Sequence, residues 1–137
     1  MNTFTISEAA KRADVGIDTV RYYERNRLLR EAPRRSSGYR EYDGDDVRRL
    51  RFIRRAKELG FTLAEIGELL TLSTDHERGV RGVKTRAEER LAEVGERIRE
   101  LRKVQRGLKQ LIDACPGHGA LENCPILAAL SETAKST

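Results

Sequence analysis

The sequence predicts a mainly helical protein, a small basic head of short helices joined to one long helix. Three observations carry that expectation. The 137 residues are 36% charged and 38% hydrophobic, with three Phe, four Tyr and no Trp. That is too thin a core for a β-sandwich or a large enzyme, and it suits helices with one solvated face. Helix start and stop signals recur at short intervals up to Leu72. From about Val80 to Asp113 an apolar heptad pattern then runs without a proline. A chain of this length holds one compact domain and an appended element. No apolar run approaches a bilayer span and no basic-then-apolar segment opens the chain, so a cytoplasmic protein without membrane association is expected. The two cysteines are then expected to be thiols with chemistry and not a structural bridge.

The elements follow in order from local signals. Thr5-Ile6-Ser7-Glu8 fits a capping box ahead of the run Ala9 to Ala13. Val15-Gly16 marks a turn, and a second helix runs from about Ile17 to Arg27 with Val20 and Tyr23 able to face the first. Two short helices about a Gly-containing turn make the helix-turn-helix pattern. Leu28-Leu29 leads into the stretch Pro33 to Tyr42, where Ser37-Gly38 is a hairpin turn between two β-prone pieces. This basic hairpin reads as a wing able to lie along a phosphate backbone or in a minor groove. Asp43 caps the next helix, with Asp45 and Asp46 near its positive end. Leu50, Phe52, Ile53 and Ala56 are expected to face inward, and Arg48, Arg49, Arg51, Arg54, Arg55 and Lys57 largely outward. Gly60 ends that helix, and Thr62-Leu63-Ala64-Glu65 is a further capping box for a helix reaching about Leu72.

Charge and periodicity separate the two halves. Residues 1–60 hold 15 Lys and Arg against 10 Asp and Glu, whereas residues 61–137 balance 12 against 12. A basic segment joined to a neutral one suggests a polyanion-binding head on an assembly element, although charge alone also fits a merely solvated face. After a polar linker at 73–79, positions 87, 91, 94, 98, 101, 105, 108 and 112 are Ala, Leu, Val, Ile, Leu, Gln, Leu and Ile. Such a seam extends for roughly 40 Å at about 1.5 Å per residue, more than a small head can cover. It calls for a partner helix, most simply the same helix of a second chain, because the sequence has no other long helix to fold against it. Gln105, on the seam, is a candidate for fixing register.

Taken together, these residues resemble the MerR family of bacterial transcription regulators. The likeness runs through Thr5-Ile6-Ser7-Glu8-Ala9-Ala10-Lys11, Thr19-Val20-Arg21-Tyr22-Tyr23-Glu24-Arg25, Leu28-Leu29, Gly38-Tyr39-Arg40-Glu41-Tyr42, Arg51-Phe52-Ile53 and Leu59-Gly60-Phe61-Thr62-Leu63. It implies a winged helix-turn-helix head at 1–72, a linker at 73–79 and a dimerisation helix at 80–113 that pairs as an antiparallel coiled coil in a homodimer. An effector loop with a short helix at 114–131 and a disordered tail at 132–137 complete the implied organisation. The implied partners are double-stranded promoter DNA and, indirectly, RNA polymerase: effector binding lets the dimer bend and untwist a promoter whose recognition elements are too far apart.

Residue chemistry nominates the DNA contacts. Arg21, one turn into the second helix, can reach guanine O6 and N7 or a phosphate. Tyr22 and Tyr23 point about 100° apart, so that one, taken as Tyr22, offers its hydroxyl outward. Thr19 and Tyr23 are the other candidates on this helix, Arg34, Arg35, Tyr39 and Arg40 those on the wing, and Lys11, Arg54 and Lys57 those on flanking helices. The alternative for each cation is an ordinary solvated charge.

The effector end is marked by sulfur. Pro116-Gly117 breaks the long helix just after Cys115, and Pro125 favours a new helix whose N-cap is near Cys124. A thiol there faces a helix's positive end, which favours thiolate. Paired thiolates are soft ligands for Cu(I), Hg(II), Zn(II) or Cd(II). The Cys-x8-Cys loop followed by Pro-Ile-Leu resembles the effector loop of the family's metal-sensing branch, and so implies Cys115 and Cys124 as metal ligands. In that branch zinc, mercury, cadmium and lead sensors usually add a cysteine from the start of the partner's dimer helix, and copper(I) sensors carry serine there; here the position is Val80, which cannot ligate. Two thiolates alone fit linear Cu(I), Ag(I) or Au(I) and also linear Hg(II). His118 is a further candidate ligand, and with Glu122 or His76 it would suit a divalent ion such as Zn(II) or Cd(II). The rival readings are a redox, thiol-reactive or small-molecule sensor of the same family, and a DNA-architectural winged-helix protein. No nucleophile–base set, phosphate loop or carboxylate pair suggests an enzyme.

Overall fold

The structure is a computed structural model that describes residues 3–132, so most of the tail expected at 132–137 lies outside the described residues. It divides into two units between Arg90 and Leu91.

In the first unit, α1 (Ile6–Ala13) and α2 (Ile17–Arg25) form the helix-turn-helix. Thr5 and Glu8 complete the capping box in both directions, satisfying two otherwise orphaned N–H groups at the start of α1. The reversal after α1 is made by Asp14, whose φ of 59 is left-handed, and not by the neighbouring glycine. Aspartate tolerates this region better than most residues, and Gly16 instead serves as the extended N-cap of α2. The Arg12 guanidinium sits 4.2 Å from the centre of the Phe4 ring and tethers the start of the chain to α1.

The wing between α2 and α3 (Gly44–Glu58) is smaller than a strand pair. It is one antiparallel bridge, Arg34 with Arg40, closed by a turn at Ser36-Ser37-Gly38 in which Gly38 takes a φ of 88. Its returning arm is anchored by a second bridge, Phe4 with Tyr42, whose two amides bond at 2.7 and 2.8 Å. Asp43 and Asp46 make a capping box at the start of α3, and Asp46 is buried because Arg30 grips both of its oxygens, at 3.0 and 2.6 Å. A buried carboxylate requires such a partner.

The core lies where α1, α2, α3 and α4 (Leu63–Leu72) meet, with Val20, Tyr42, Leu50, Ile53 and Ile66 fully enclosed. Phe52, expected among the inward residues of α3, is 37% exposed. It flanks Ile53 and is turned about 100° from it, onto the rim of a cleft shared with Leu29 and Leu70. Arg49 and Arg51, counted as outward, reach back to the carbonyls of Leu28 and Arg12 and fasten the loop after α2 and the end of α1 to α3.

The long helix, α5 (Gly79–Ala114), begins one residue before the expected boundary. Asp75 accepts hydrogen bonds from the Glu77 and Arg78 amides just ahead of it. Leu72 lies against Gly79 and Gly82 so closely that a β-carbon at either position would overlap it, which is why this junction uses glycine inside a helix start. Arg86 pairs with Glu68 at 2.9 Å, and Arg90 donates to the Leu59 carbonyl at 2.9 Å.

The second unit holds the rest of α5, a 3-10 turn at Leu121–Asn123 and α6 (Pro125–Ser131). Its apolar side chains are not enclosed. Leu91, Ile98, Leu101, Leu108 and Ile112 of the expected seam are all exposed.

Candidate nucleic-acid interface and thiol site

Between α2 and the wing lies a cleft of about 590 Å³. Arg21 and Arg25 of α2 face Arg34 and Arg40 of the wing across it, with Tyr39 at its mouth and Glu24 and Glu31 as the acidic residues of its lining. Arg21 and Tyr22 are exposed, and Arg21 makes just a loose ion pair with Asp18 at 3.9 Å. Tyr39, at 69% exposure, and Lys11 and Lys57 on flanking helices are also open to solvent, and Thr19 is half-buried. These placements leave Arg21, Tyr22, Tyr39, Lys11 and Lys57 open to solvent on this face.

Several candidates are already engaged. Tyr23 is a correction: it is 6% exposed and packs in the core, and burial pushes its phenol pKa up. One of two adjacent tyrosines must face inward on a helix, and here Tyr22 is the outward one. Arg35 bonds Glu41 at 3.1 Å and Thr3 at 3.2 Å, and Arg54 pairs with Asp14 and Glu58. Arg34 donates to the Gly38 carbonyl at 3.1 Å and stiffens the wing turn.

Arg40 makes the densest set of contacts. Its Nη1 bonds the Glu24 carboxylate, its Nη2 lies 3.6 Å from Glu31, and the Tyr42 hydroxyl donates to the other Glu24 oxygen. Burial, and then the Glu24 carboxylate, push the Tyr42 phenol up to about 12. Glu24 and Tyr42 were not among the sequence candidates. The available signal was position: Glu24 is four residues after the core residue Val20, on the same face of α2.

In the second unit the two cysteines come together. The Cys115 and Cys124 sulfurs are 4.0 Å apart, both half-buried and both free. Cys115 follows the end of α5 and Cys124 is the N-cap of α6. The amide of Leu127, then that of Ile126 and the Cys115 thiol, hold the Cys124 thiol below its ordinary pKa, against a smaller opposing effect of desolvation. Gly117 and Gly119, with φ of 81 and 108, let the intervening loop turn back. A tetrahedral ion with bonds of about 2.3 Å spaces its sulfurs at about 3.8 Å, and a linear one at about 4.6 Å, so the observed separation suits two-thiolate coordination with small side-chain rotations. Among the described residues no third His, Cys, Asp or Glu gathers with the pair, so His118 and Glu122 are not brought into it within one chain. Val80, at the start of α5, is 89% exposed.

A basic cleft between the second helix of a helix-turn-helix and a wing is the layout of a DNA-binding head. The chain belongs to the MerR family: residues 4–72 match the MerR HTH family regulatory protein pattern, and residues 47–111 match the pattern described as MerR, DNA binding. It is 43% identical to the HTH-type transcriptional regulator ZntR of Escherichia coli K12, over 96% of this chain and 94% of the relative. Among solved structures it is similar to the transcription regulator PbrR691 from Ralstonia metallidurans CH34 in complex with lead(II), with a TM-score of 0.82, 36% identity and coverage of 93% of this chain and 99% of that one. It is also similar to MerR from Bacillus megaterium MB1 in complex with mercury(II), with a TM-score of 0.74, 34% identity and coverage of 94% and 100%.

Two titrations check this geometry. In a spectrophotometric titration of the four tyrosines, one phenol should ionise only near pH 12, and Tyr42→Phe should remove that step. Because its folded pKa lies above its unfolded one, the stability Tyr42 contributes is complete below about pH 10 and is lost as pH rises toward 12. At Cys124, iodoacetamide labelling of the Cys115→Ser variant should show a midpoint below that of an ordinary thiol, since the helix amides still favour thiolate.

Proposed function

We propose that this chain is a metal-responsive transcriptional regulator that binds promoter DNA in the cytoplasm as a homodimer, senses its ion through Cys115 and Cys124, and distorts the duplex in response. The observation that carries the sensing role is the 4.0 Å approach of two free sulfurs across the loop that joins α5 to α6. The lead(II) and mercury(II) complexes of the two similar structures support sensing of a metal ion, without favouring a monovalent one.

Dimerisation is supported by the exposed seam. In α5, Leu91, Ile98, Leu101, Leu108 and Ile112 repeat at heptad spacing and stand exposed among the described residues, and an antiparallel copy of the same helix would bury them. DNA contact is assigned to Arg21, Tyr22, Arg34, Tyr39 and Arg40 around the cleft, with Lys11, Thr19 and Lys57 beside it. Arg35 and Arg54 can serve only where DNA competes with their present carboxylate partners.

The ion favoured is monovalent and soft, of the Cu(I), Ag(I) or Au(I) type, because two thiolates with Val80 in place of a third ligand satisfy linear coordination. Hg(II) shares that geometry, and Zn(II) or Cd(II) would need His118, Glu122 or His76 to join. When bound, such an ion supplies two strong bonds to thiolate. The chain's own residues prepare for it: Cys124 is held toward thiolate by the start of α6, and the loop glycines allow the sulfurs to converge. Closing residues 116–123 in this way would fix the position of α6, whose Leu127 and Leu130 are exposed apolar groups able to bear on the dimer. The nearness of the sulfurs equally permits a disulfide, so a thiol-redox sensor is the rival reading.

Sedimentation should find a dimer at micromolar concentration, and Ile98→Asp combined with Leu101→Asp should give monomer. A monomeric wild type would end the seam argument. Reduced protein titrated with Cu(I), Ag(I), Hg(II), Zn(II) and Cd(II) should develop thiolate-to-metal absorption. Replacing Cys115 and Cys124 with Ser should abolish that signal and the transcriptional response while sparing DNA binding. A double Ser variant that still answers the same inducer would remove the loop as sensor, and a response to peroxide alone would favour the redox reading.

A further inference from the structure

We propose that Glu24 is a positioning residue for DNA recognition, which holds the Arg40 guanidinium of the wing in the orientation that meets a DNA phosphate. The inference rests on the assignment of Arg40 to the DNA-contacting cleft. Glu24 belongs to the recognition helix α2, yet its side chain is only 6% exposed, an unusual state for a carboxylate. Both of its oxygens are committed to the wing: one accepts from Arg40 Nη1 and the other from the Tyr42 hydroxyl. Tyr42 is fully buried, and its backbone is locked to Phe4 by two amide hydrogen bonds. The carboxylate therefore joins the element that enters the groove to the element that follows the backbone, through one rigid anchor and one partly exposed cation.

Arg40 itself is 30% exposed and faces the cleft. A guanidinium carries five N–H donors in a planar fork. Glu24 occupies one of them, the Tyr42 hydroxyl also lies against the guanidinium, and Glu31 stands 3.6 Å away, beyond hydrogen-bond reach, which leaves the remaining donors for whatever enters the cleft. Charge-assisted bonds of this kind are short and directional, so the carboxylate fixes the plane of the fork before DNA arrives. Without it, the guanidinium would relax toward Glu31, which is 77% exposed at the cleft edge.

The test is a double-mutant cycle on the full-length dimer. Binding is measured by fluorescence anisotropy to a duplex that the wild type selects from a random-sequence pool, below the thermal transition of every variant. Glu24→Gln should weaken binding about tenfold. In an Arg40→Ala background the same change should cost less than about twofold, because the two groups act as one unit. A tenfold loss that persists without Arg40 would show ordinary structural support through Tyr42 and overturn the proposal. Arg40→Lys covers the case in which Glu24→Gln fails to fold: it keeps the charge but not the fork, and should lose about fivefold. Full affinity with Lys, or with Ala, would overturn the proposal while leaving DNA binding by the rest of the head intact. A wild type that selects no duplex at all would instead remove the DNA-contact reading beneath it.

Discussion

Among the described residues, buried hydrophobic side chains stop at Leu70, and everything distinctive about this molecule follows from that limit. A chain that is 36% charged has apolar material for one small core, and it spends that material where α1 to α4 meet. Beyond it, α5 carries a stripe of Leu, Ile and Val that water surrounds in a single chain. Burying such surface is favourable at about 25 cal/mol per Å², so a helix built this way is stable as half of an interface and costly alone. The proposed pairing with a second chain therefore rests on the distribution of apolar residues along α5 and not on any single contact.

The same scarcity makes charge pairing carry much of the head's architecture. Asp46 is buried under the two-pronged grip of Arg30, Glu24 under Arg40 and Tyr42, and α3 reaches back through Arg49 and Arg51 to backbone carbonyls of earlier elements. A basic head is therefore not a uniformly free positive surface. Its arginines divide into those that hold the protein together, such as Arg30, Arg35 and Arg49, and those that stand open in the cleft, such as Arg21 and Arg25. Arg40 belongs to both groups, and the positioning role proposed for Glu24 rests on that double engagement.

The thiol pair obeys a comparable economy. Cys115 ends one helix and Cys124 begins another, so the backbone already points both sulfurs toward one place and the N-terminal amides of α6 add the polarity that favours thiolate. The two-residue set is incomplete for an ion that demands four ligands and complete for one that accepts two.

Local signals determined much of this from sequence alone. Capping boxes at Thr5 and Thr62 and the cap at Asp43 act within four residues, so they placed α1, α3 and α4 correctly, and the heptad repeat placed α5 to within a residue at each end. The pairing of Cys115 with Cys124 was legible for the same reason: a proline and a glycine on one side and a proline on the other leave the short loop few paths. Partner choice among long side chains was not legible. The turn of Phe52 to a cleft rim, the reversal at Asp14 instead of Gly16, and the enclosure of Glu24 beneath Arg40 and Tyr42 all depend on how elements distant in sequence pack. Sequence periodicity reports which side of a helix is apolar, but only the packed fold decides which neighbour lies opposite an arginine or a carboxylate, because a flexible side chain takes the partner that tertiary contacts bring within a few ångströms.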